Sequence, residues 1–259
     1  MKTIKTIFAL LFVLSISAQE ERIWDVTYYD IPADQIGEFV QTHASFMNIS
    51  ANEDSKIIGQ WVYRHWYGSG HSIVIRDIYK SVEDAVADDL FAVLGKNYEA
   101  LSDEKKKEMD VVFEEWWSYF DNHTDEMRMS NPEKDFVSKE NVNWDIPFVF
   151  VVGRYNSSGQ WGEMANAFMD WTTRPAVANG LQLGGGATMH YKGSGHEVEF
   201  FSGYKNIMEF AESISNLPNE NPEARKKFWS LVDGAHEDQI YVHVGHIVDG
   251  VFDIAGEDK

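Results

Sequence analysis

The sequence predicts an α+β chain in which one β-α-β-β-α-β unit occurs twice, and three observations predict it. Residues 61–71 and 186–196 match at an offset of 125, sharing His65 with His190 and a Gly-Ser-Gly-His run ending at His71 and His196. Further blocks recur in the same order: Gln35 to Glu38 with Gln160 to Glu163, Tyr79-Lys80 with Tyr204-Lys205, and Trp117 to Asp125 with Trp229 to Asp238. Trp24-Asp25 also pairs with Trp144-Asp145, at an offset of 120. In both halves the apolar pattern switches between the period of a strand and that of a helix. Ordered repetition of this length marks two homologous halves, residues 22–138 and 142–250.

Each element has its own warrant. Residues 23–31 are rich in Trp, Val, Thr and Tyr and read as a strand. Pro32 opens a helix whose apolar stripe is Ile36, Phe39, Val40 and Phe46-Met47. Residues 57–67 and 71–79 form a hairpin around Gly68-Ser69-Gly70, where glycine tolerates positive φ. A helix follows over 82–95, and Ser102 caps another carrying Met109, Val112-Phe113, Trp116-Trp117 and Phe120. Residues 125–130 end the first half as a short strand. The second half repeats the order: strand 148–155, helix 161–171, hairpin 183–192 and 196–204, a helix from Ile207, another from Asn221-Pro222, and a strand over 240–248.

Residues 1–19 read as an address. Lys2 and Lys5 precede the apolar run 7–16, which ends in Ser17-Ala18-Gln19, the pattern of a secretory signal. The run is shorter than the roughly 20 apolar residues a bilayer span needs, and no later stretch supplies them. The expected mature protein is exported to periplasm or medium, without membrane insertion. With 22 basic against 42 acidic residues the chain carries −20, which repels phosphate backbones and argues against nucleic-acid partners. It has no cysteine, so disulfides, thiolate metal sites and cysteine nucleophiles are excluded.

Two split βαβ units in one chain resemble a tandem member of the dimeric α/β-barrel superfamily, in which two ferredoxin-like sheets meet around a barrel. The superfamily includes antibiotic-biosynthesis-type monooxygenases, stress-responsive barrel proteins, chlorite dismutases and dye-decolourising peroxidases. The resemblance rests on element order and duplication over nearly the whole mature chain. No family-specific catalytic motif matches, so it transfers no residue roles.

The histidines are the chemistry that recurs: His65/His190, His71/His196 and His123/His236. A three-residue Gly-Ser-Gly loop would set Tyr67 against His71 and His65 against Ile73, placing both histidines on one sheet face. With His123 arriving from the preceding helix and Asp121 or Asp125 to orient it, such a cluster suits a transition metal. The same residues also read as turn histidines bonding loop carbonyls, or as general acid–base groups. His243 and His246, unmatched in the first half, fall on opposite faces of the last strand by alternation. His43 faces Phe168 in the duplicate and reads as surface or packing.

The remaining features read as structural. Trp116-Trp117 and Phe228-Trp229 belong to helical core stripes. Gly184-Gly185-Gly186 sits in a strand and marks a bulge or a close approach. Lys105-Lys106-Lys107 is a solvated helix face. Ser69 and Ser194 lack the strand-to-helix setting of a hydrolase serine.

A barrel of this kind is lined by Trp61, Tyr63 and His65 on one side and by Thr188 and His190 on the other, a pocket for a small, largely apolar molecule. The leading expectation is an exported small-molecule-binding protein, catalytic or not. The ligand-binding candidates are Trp61, Tyr63, His65, His71, His123, His190, His196 and His236. A metal- or haem-dependent oxidoreductase using those histidines is the first alternative, and a non-catalytic interaction module the second. The sequence names no cofactor and no oligomeric state.

Overall fold

The computed structural model describes residues 21–51, 54–120, 123–216, 221–248 and 250–256; the expected leader lies outside them. The first half runs β1 (Arg22–Tyr29), α1 (Ile36–Ser50), β2 (Gly59–Gly68), β3 (Ile73–Tyr79), α2 (Val82–Ala87), α3 (Leu90–Glu99), α4 (Asp103–Ser118) and β4 (Thr124–Ser130). A linker follows, holding α5 (Pro132–Asp135) and β5 (Phe136–Ser138). The second half runs β6 (Val149–Ser157), α6 (Trp161–Phe168), a π-helical turn (Met169–Thr173), α7 (Arg174–Ala178), β7 (Gly184–Gly193), β8 (Val198–Tyr204), α8 (Ile207–Asn216), α9 (Pro222–Leu231) and β9 (Val232–Val248). β10 (Val251–Ile254) turns back on β9.

Local chemistry sets the boundaries. The helix expected over 82–95 is two, because Asp88 is extended and the Asp89 side chain caps α3 by accepting the Ala92 N–H at 2.9 Å. Ser102 caps α4 as expected, and Asn221 caps α9. The last strand begins eight residues before its expected start at Ile240, because its first part pairs with β6.

Eight strands close on themselves in the order β9-β2-β3-β1-β4-β7-β8-β6, with β6 returning to β9 and every pair antiparallel. Closure removes the edges that an open sheet would expose. The barrel is two arcs of equivalent order, β2-β3-β1-β4 and β7-β8-β6-β9, joined along seams β2–β9 and β4–β7. Outside, α1 and α4 cover the first arc, burying Phe39, Phe46, Met47 and Trp116 against Ile73, Ile75 and Val62. α6 and α9 cover the second, burying Met164, Phe228 and Leu231 against Val198 and Phe200. Only half of each aromatic pair joins these layers: Trp116 and Phe228 are buried, whereas Trp117 and Trp229 are exposed.

The repeated Gly-Ser-Gly turns belong to the seams. Gly68 (φ +92) packs against the Asp238 carbonyl so closely that a Cβ would lie 2.6 Å from its oxygen. Gly193 (φ +102) meets the Asp125 carbonyl in the same way, at 2.8 Å. Positive φ and close approach both require glycine. Each turn thus clasps the last strand of the other arc.

Candidate functional site

The barrel interior divides into a polar half and an aromatic half. Toward the turns, Arg76 and Glu199 form a fully buried ion pair at 2.6 Å, and Arg154 Nε meets the same carboxylate at 3.0 Å. The Arg154 Nη2 group donates to the Tyr28 hydroxyl at 2.8 Å, Tyr28 donates to Glu126, and Arg128 donates to Glu126 at 3.1 Å and to the Thr188 hydroxyl at 2.7 Å. Burial raises the Glu199 carboxyl, but Arg76, Arg154 and Arg128 outweigh it and hold the group well below the usual carboxylate range. This chain of bonds ties six strands from both arcs across the lumen. Thr188, expected on the pocket wall, belongs to it.

At the opposite end lies a cavity of about 400 Å³. Inward-facing Trp24, Trp61, Tyr63, Phe150 and Phe201 wall it, and the linker supplies Asp135, Phe136 and Trp144. Tyr63 stacks on Phe150 with centroids 4.0 Å apart, and Trp61 meets Trp144 edge-on at 5.9 Å. Gly184 and Gly203, directly opposite in the β7–β8 ladder, both border the cavity; Ser138 lies against Gly184, whereas a Cβ on Gly203 would make only ordinary contact with Phe148. The glycine run expected to mark a close approach does so: β5 lies along residues 184–186, and a Cβ on Gly186 would fall 2.2 Å from the Asp135 carbonyl oxygen. Those glycines admit the linker, and the linker brings Asp135 to the cavity.

A second device fixes the linker. The register of β2 against β9 slips at Val244, because Val62 pairs with Gly245 and Tyr63 with His243. The extra residue brings His243 and His246 onto the same interior face, 5.2 Å apart, where alternation had placed them on opposite faces. The His243 Nδ1–H donates to the Ile146 carbonyl at 3.0 Å, and His246 Nε2 lies 3.1 Å from Asp145. Burial pushes the His243 imidazole down to about 4, so it is neutral near pH 7. Both rings pack on Trp61, at 5.3 and 5.2 Å.

The structure brings two of the sequence candidates, Trp61 and Tyr63, to the cavity; the repeated histidines lie at the turn end. The hairpin register differs by one from expectation, since His65 donates its N–H to the Ser72 carbonyl rather than facing Ile73. The two rings pack on different interior tyrosines, His65 edge-on to Tyr241 at 5.6 Å and His71 on Tyr28 at 5.2 Å. His190 pairs likewise with Glu197, so the second hairpin repeats the shift. His71 Nδ1 lies 3.1 Å from Asp30, His123 Nε2 3.3 Å from Asp125, and His236 Nε2 3.2 Å from Asp238. His190 Nε2 meets the Gly193 carbonyl at 3.1 Å, and the backbone carbonyl of His196 accepts from Arg128. Among the described residues no three His, Asp or Glu side chains are grouped to hold a metal. His43, by contrast, is buried: its Nδ1 accepts from Trp116 Nε1 at 3.2 Å, so its Nε2–H donates to Gln60 at 2.8 Å.

Sequence reasoning missed Asp135, Phe136 and Trp144. Trp144 had been matched to Trp24, yet it lies in the linker, and the equivalent ladder positions Tyr29–Ile73 and Tyr155–Val198 make Phe150 the counterpart of Trp24.

No family model matches the sequence, and no curated protein resembles it in sequence. Solved structures do resemble it in fold. An anthrone oxidase-like protein aligns with a TM-score of 0.56 at 12% identity, over 92% of this chain and 97% of that one. A proposed monooxygenase from Lactobacillus acidophilus NCFM aligns with a TM-score of 0.55 at 9% identity, over 89% of this chain and 98% of that one. One from Fusobacterium nucleatum gives 0.55 at 10% identity, over 91% and 98%. These likenesses show the fold, a dimeric α+β barrel arrangement completed within one chain.

Proposed function

We propose that this chain binds one small, ring-containing, largely apolar molecule inside the barrel. The observation that carries the reading is the cavity of about 400 Å³ walled by aromatic rings, with few polar groups at its rim. Similarity in fold to an anthrone oxidase-like protein and to proposed monooxygenases supports oxidation as the first reaction class to assay. Of the repeated histidines, His123, His190 and His236 meet carbonyl or carboxylate groups within three residues, which supports a scaffolding role for these three.

Two further parts of the reading are inferences of the same standing. The arcs are copies of one ferredoxin-like unit, supported by their equivalent strand order and by turns that clasp reciprocally. The protein is exported, supported by the Lys2, Lys5 and apolar-run pattern; mature protein then begins near Gln19, and an intact Met1 on fractionated protein refutes export.

Trp24, Trp61 and Trp144 report binding directly. Titration with a panel of one- to three-ring apolar compounds, anthrone among them, is expected to quench tryptophan fluorescence saturably with one site per chain. Absence of saturable quenching by every compound overturns the reading.

A further inference from the structure

The cavity holds one feature that an apolar ligand alone does not use. Asp135 lies on its wall with only 9% of its surface exposed. One carboxylate oxygen accepts the Asn131 N–H at 2.8 Å, and the group forms no ion pair among the described residues. Lys134 and Arg174 lower its pKa in part without pairing with it, and Arg174 pairs with Asp170 at 2.5 Å. Arg22 also borders the cavity, but its guanidinium donates to the Glu21 carbonyl at 3.4 Å. Burying a carboxylate without a counter-charge is costly, and burial does raise this group above its ordinary range.

The surroundings suit one kind of charge. The faces of Trp and Phe rings attract cations and repel anions, and Trp24, Trp61, Trp144 and Phe136 share the cavity with this carboxylate. The chain's net charge of −20 draws cations toward any opening. Gly203 adds a side-chain-free stretch of backbone to the same cavity, against which a ring system has room to lie.

From this geometry we propose that the cavity selects ring compounds carrying a positively charged, hydrogen-bond-donating nitrogen, with the nitrogen on Asp135 and the rings between the aromatic walls. The proposal rests on the reading of the cavity as a ligand site and narrows it to lipophilic aromatic amines. Asp135 is then a specificity-determining residue: its free oxygen accepts the ammonium or amidinium N–H, and the ligand supplies the counter-charge that the protein lacks there.

The test uses three probes of one ring size on the full mature chain: 9-aminoacridine, a cation at pH 7.5, neutral acridine, and the acridine-9-carboxylate anion. Calorimetric titration in 0.5 M salt screens binding to the acidic surface. The expected order is cation tighter than neutral by tenfold or more, with the anion weakest and one site per chain. Asp135→Asn keeps an oxygen for the Asn131 N–H, and it is expected to bring the cation to the affinity of the neutral probe while leaving the neutral probe unchanged. The wild-type ranking stands as a test even if that variant fails to fold. Equal or tighter binding of the neutral or anionic probe overturns this proposal alone, as does an equal loss for all three probes in Asp135→Asn. Absence of binding by all three overturns the cavity reading itself.

Discussion

Replacing Glu199 by Gln probes the polar half of the barrel. The carboxylate is the shared counter-ion of Arg76, at 2.6 Å, and Arg154, at 3.0 Å, with Glu199 and Arg76 fully buried. The amide preserves the shape but leaves two guanidiniums facing a neutral group. Breaking a buried pair by removing one partner costs about 3–5 kcal/mol. For a chain of this size each kcal/mol moves the melting temperature by about 2–4 °C, so the expected drop is about 6–20 °C. Calorimetric melts and urea titration read it, with Glu99→Gln as the comparison. Glu99 is 80% exposed in its pair with Lys106, and such a pair is worth at most about 0.5 kcal/mol. The pH dependence adds a second readout. A carboxyl held below its ordinary range contributes stability that is complete above the unfolded value, about 4.3, and is lost as pH falls further. The gap between wild type and variant should hold from pH 8 to 5 and narrow below about pH 4. A loss under about 1 kcal/mol at pH 7 would refute the claim that Glu199 compensates charge buried in the lumen.

Other expectations are as direct. Gly203→Leu should abolish probe binding while the melt stays within about 3 °C, because a Cβ there meets Phe148 at an ordinary 3.5 Å and the rest of the side chain enters the cavity. His43, pushed down to about 4 by burial, stays neutral in the folded chain while the unfolded chain takes up a proton near 6.5. Stability is therefore lost as pH falls from 6.5 toward 4, at up to about 1.4 kcal/mol per pH unit, and His43→Phe should remove its share of that slope while His243 keeps its own. Asp77 and Asp25, pushed up by burial to about 7 and about 6, act in the opposite sense, so the difference between wild type and variant is the quantity to compare. Residues 142–259 expressed alone should give no cooperative monomeric melt by calorimetry, because both seams and one whole interior face would be exposed.

Much of the architecture was legible because the chain states it twice. Hairpins, caps at Ser102 and Asn221, and the alternation that turns Trp61 and Tyr63 inward all follow from local pattern. Recurrence also marks the joints between the arcs. Gly68 with Asp238, and Gly193 with Asp125, recur because each arc must grip the other, and His236 and His123 pair with those same aspartates. Their repetition goes with that joint. The cavity's distinguishing residues do not repeat, because Asp135, Phe136 and Trp144 belong to the linker. One signal was present: three successive glycines in a strand require that something lie against them, and that something is β5. The Val244 slip has one sequence trace, Gly245 beside it, because a glycine inside a strand marks a bulge.

The linker also changes what evolution can do with the barrel. In an assembly of two identical subunits every substitution appears at both symmetry-related mouths, so a change that helps one chamber is imposed on its twin. Here residues 131–147 cross one mouth only. At the other, Gly70 packs onto the Tyr241 hydroxyl and Gly195 onto the Glu126 carboxylate. A substitution at Asp135 or Trp144 is therefore felt once, in a single chamber, while the grip between the arcs is left untouched. The linker's share of the cavity wall and the grip between the arcs lie in separate stretches of the chain and are free to drift independently.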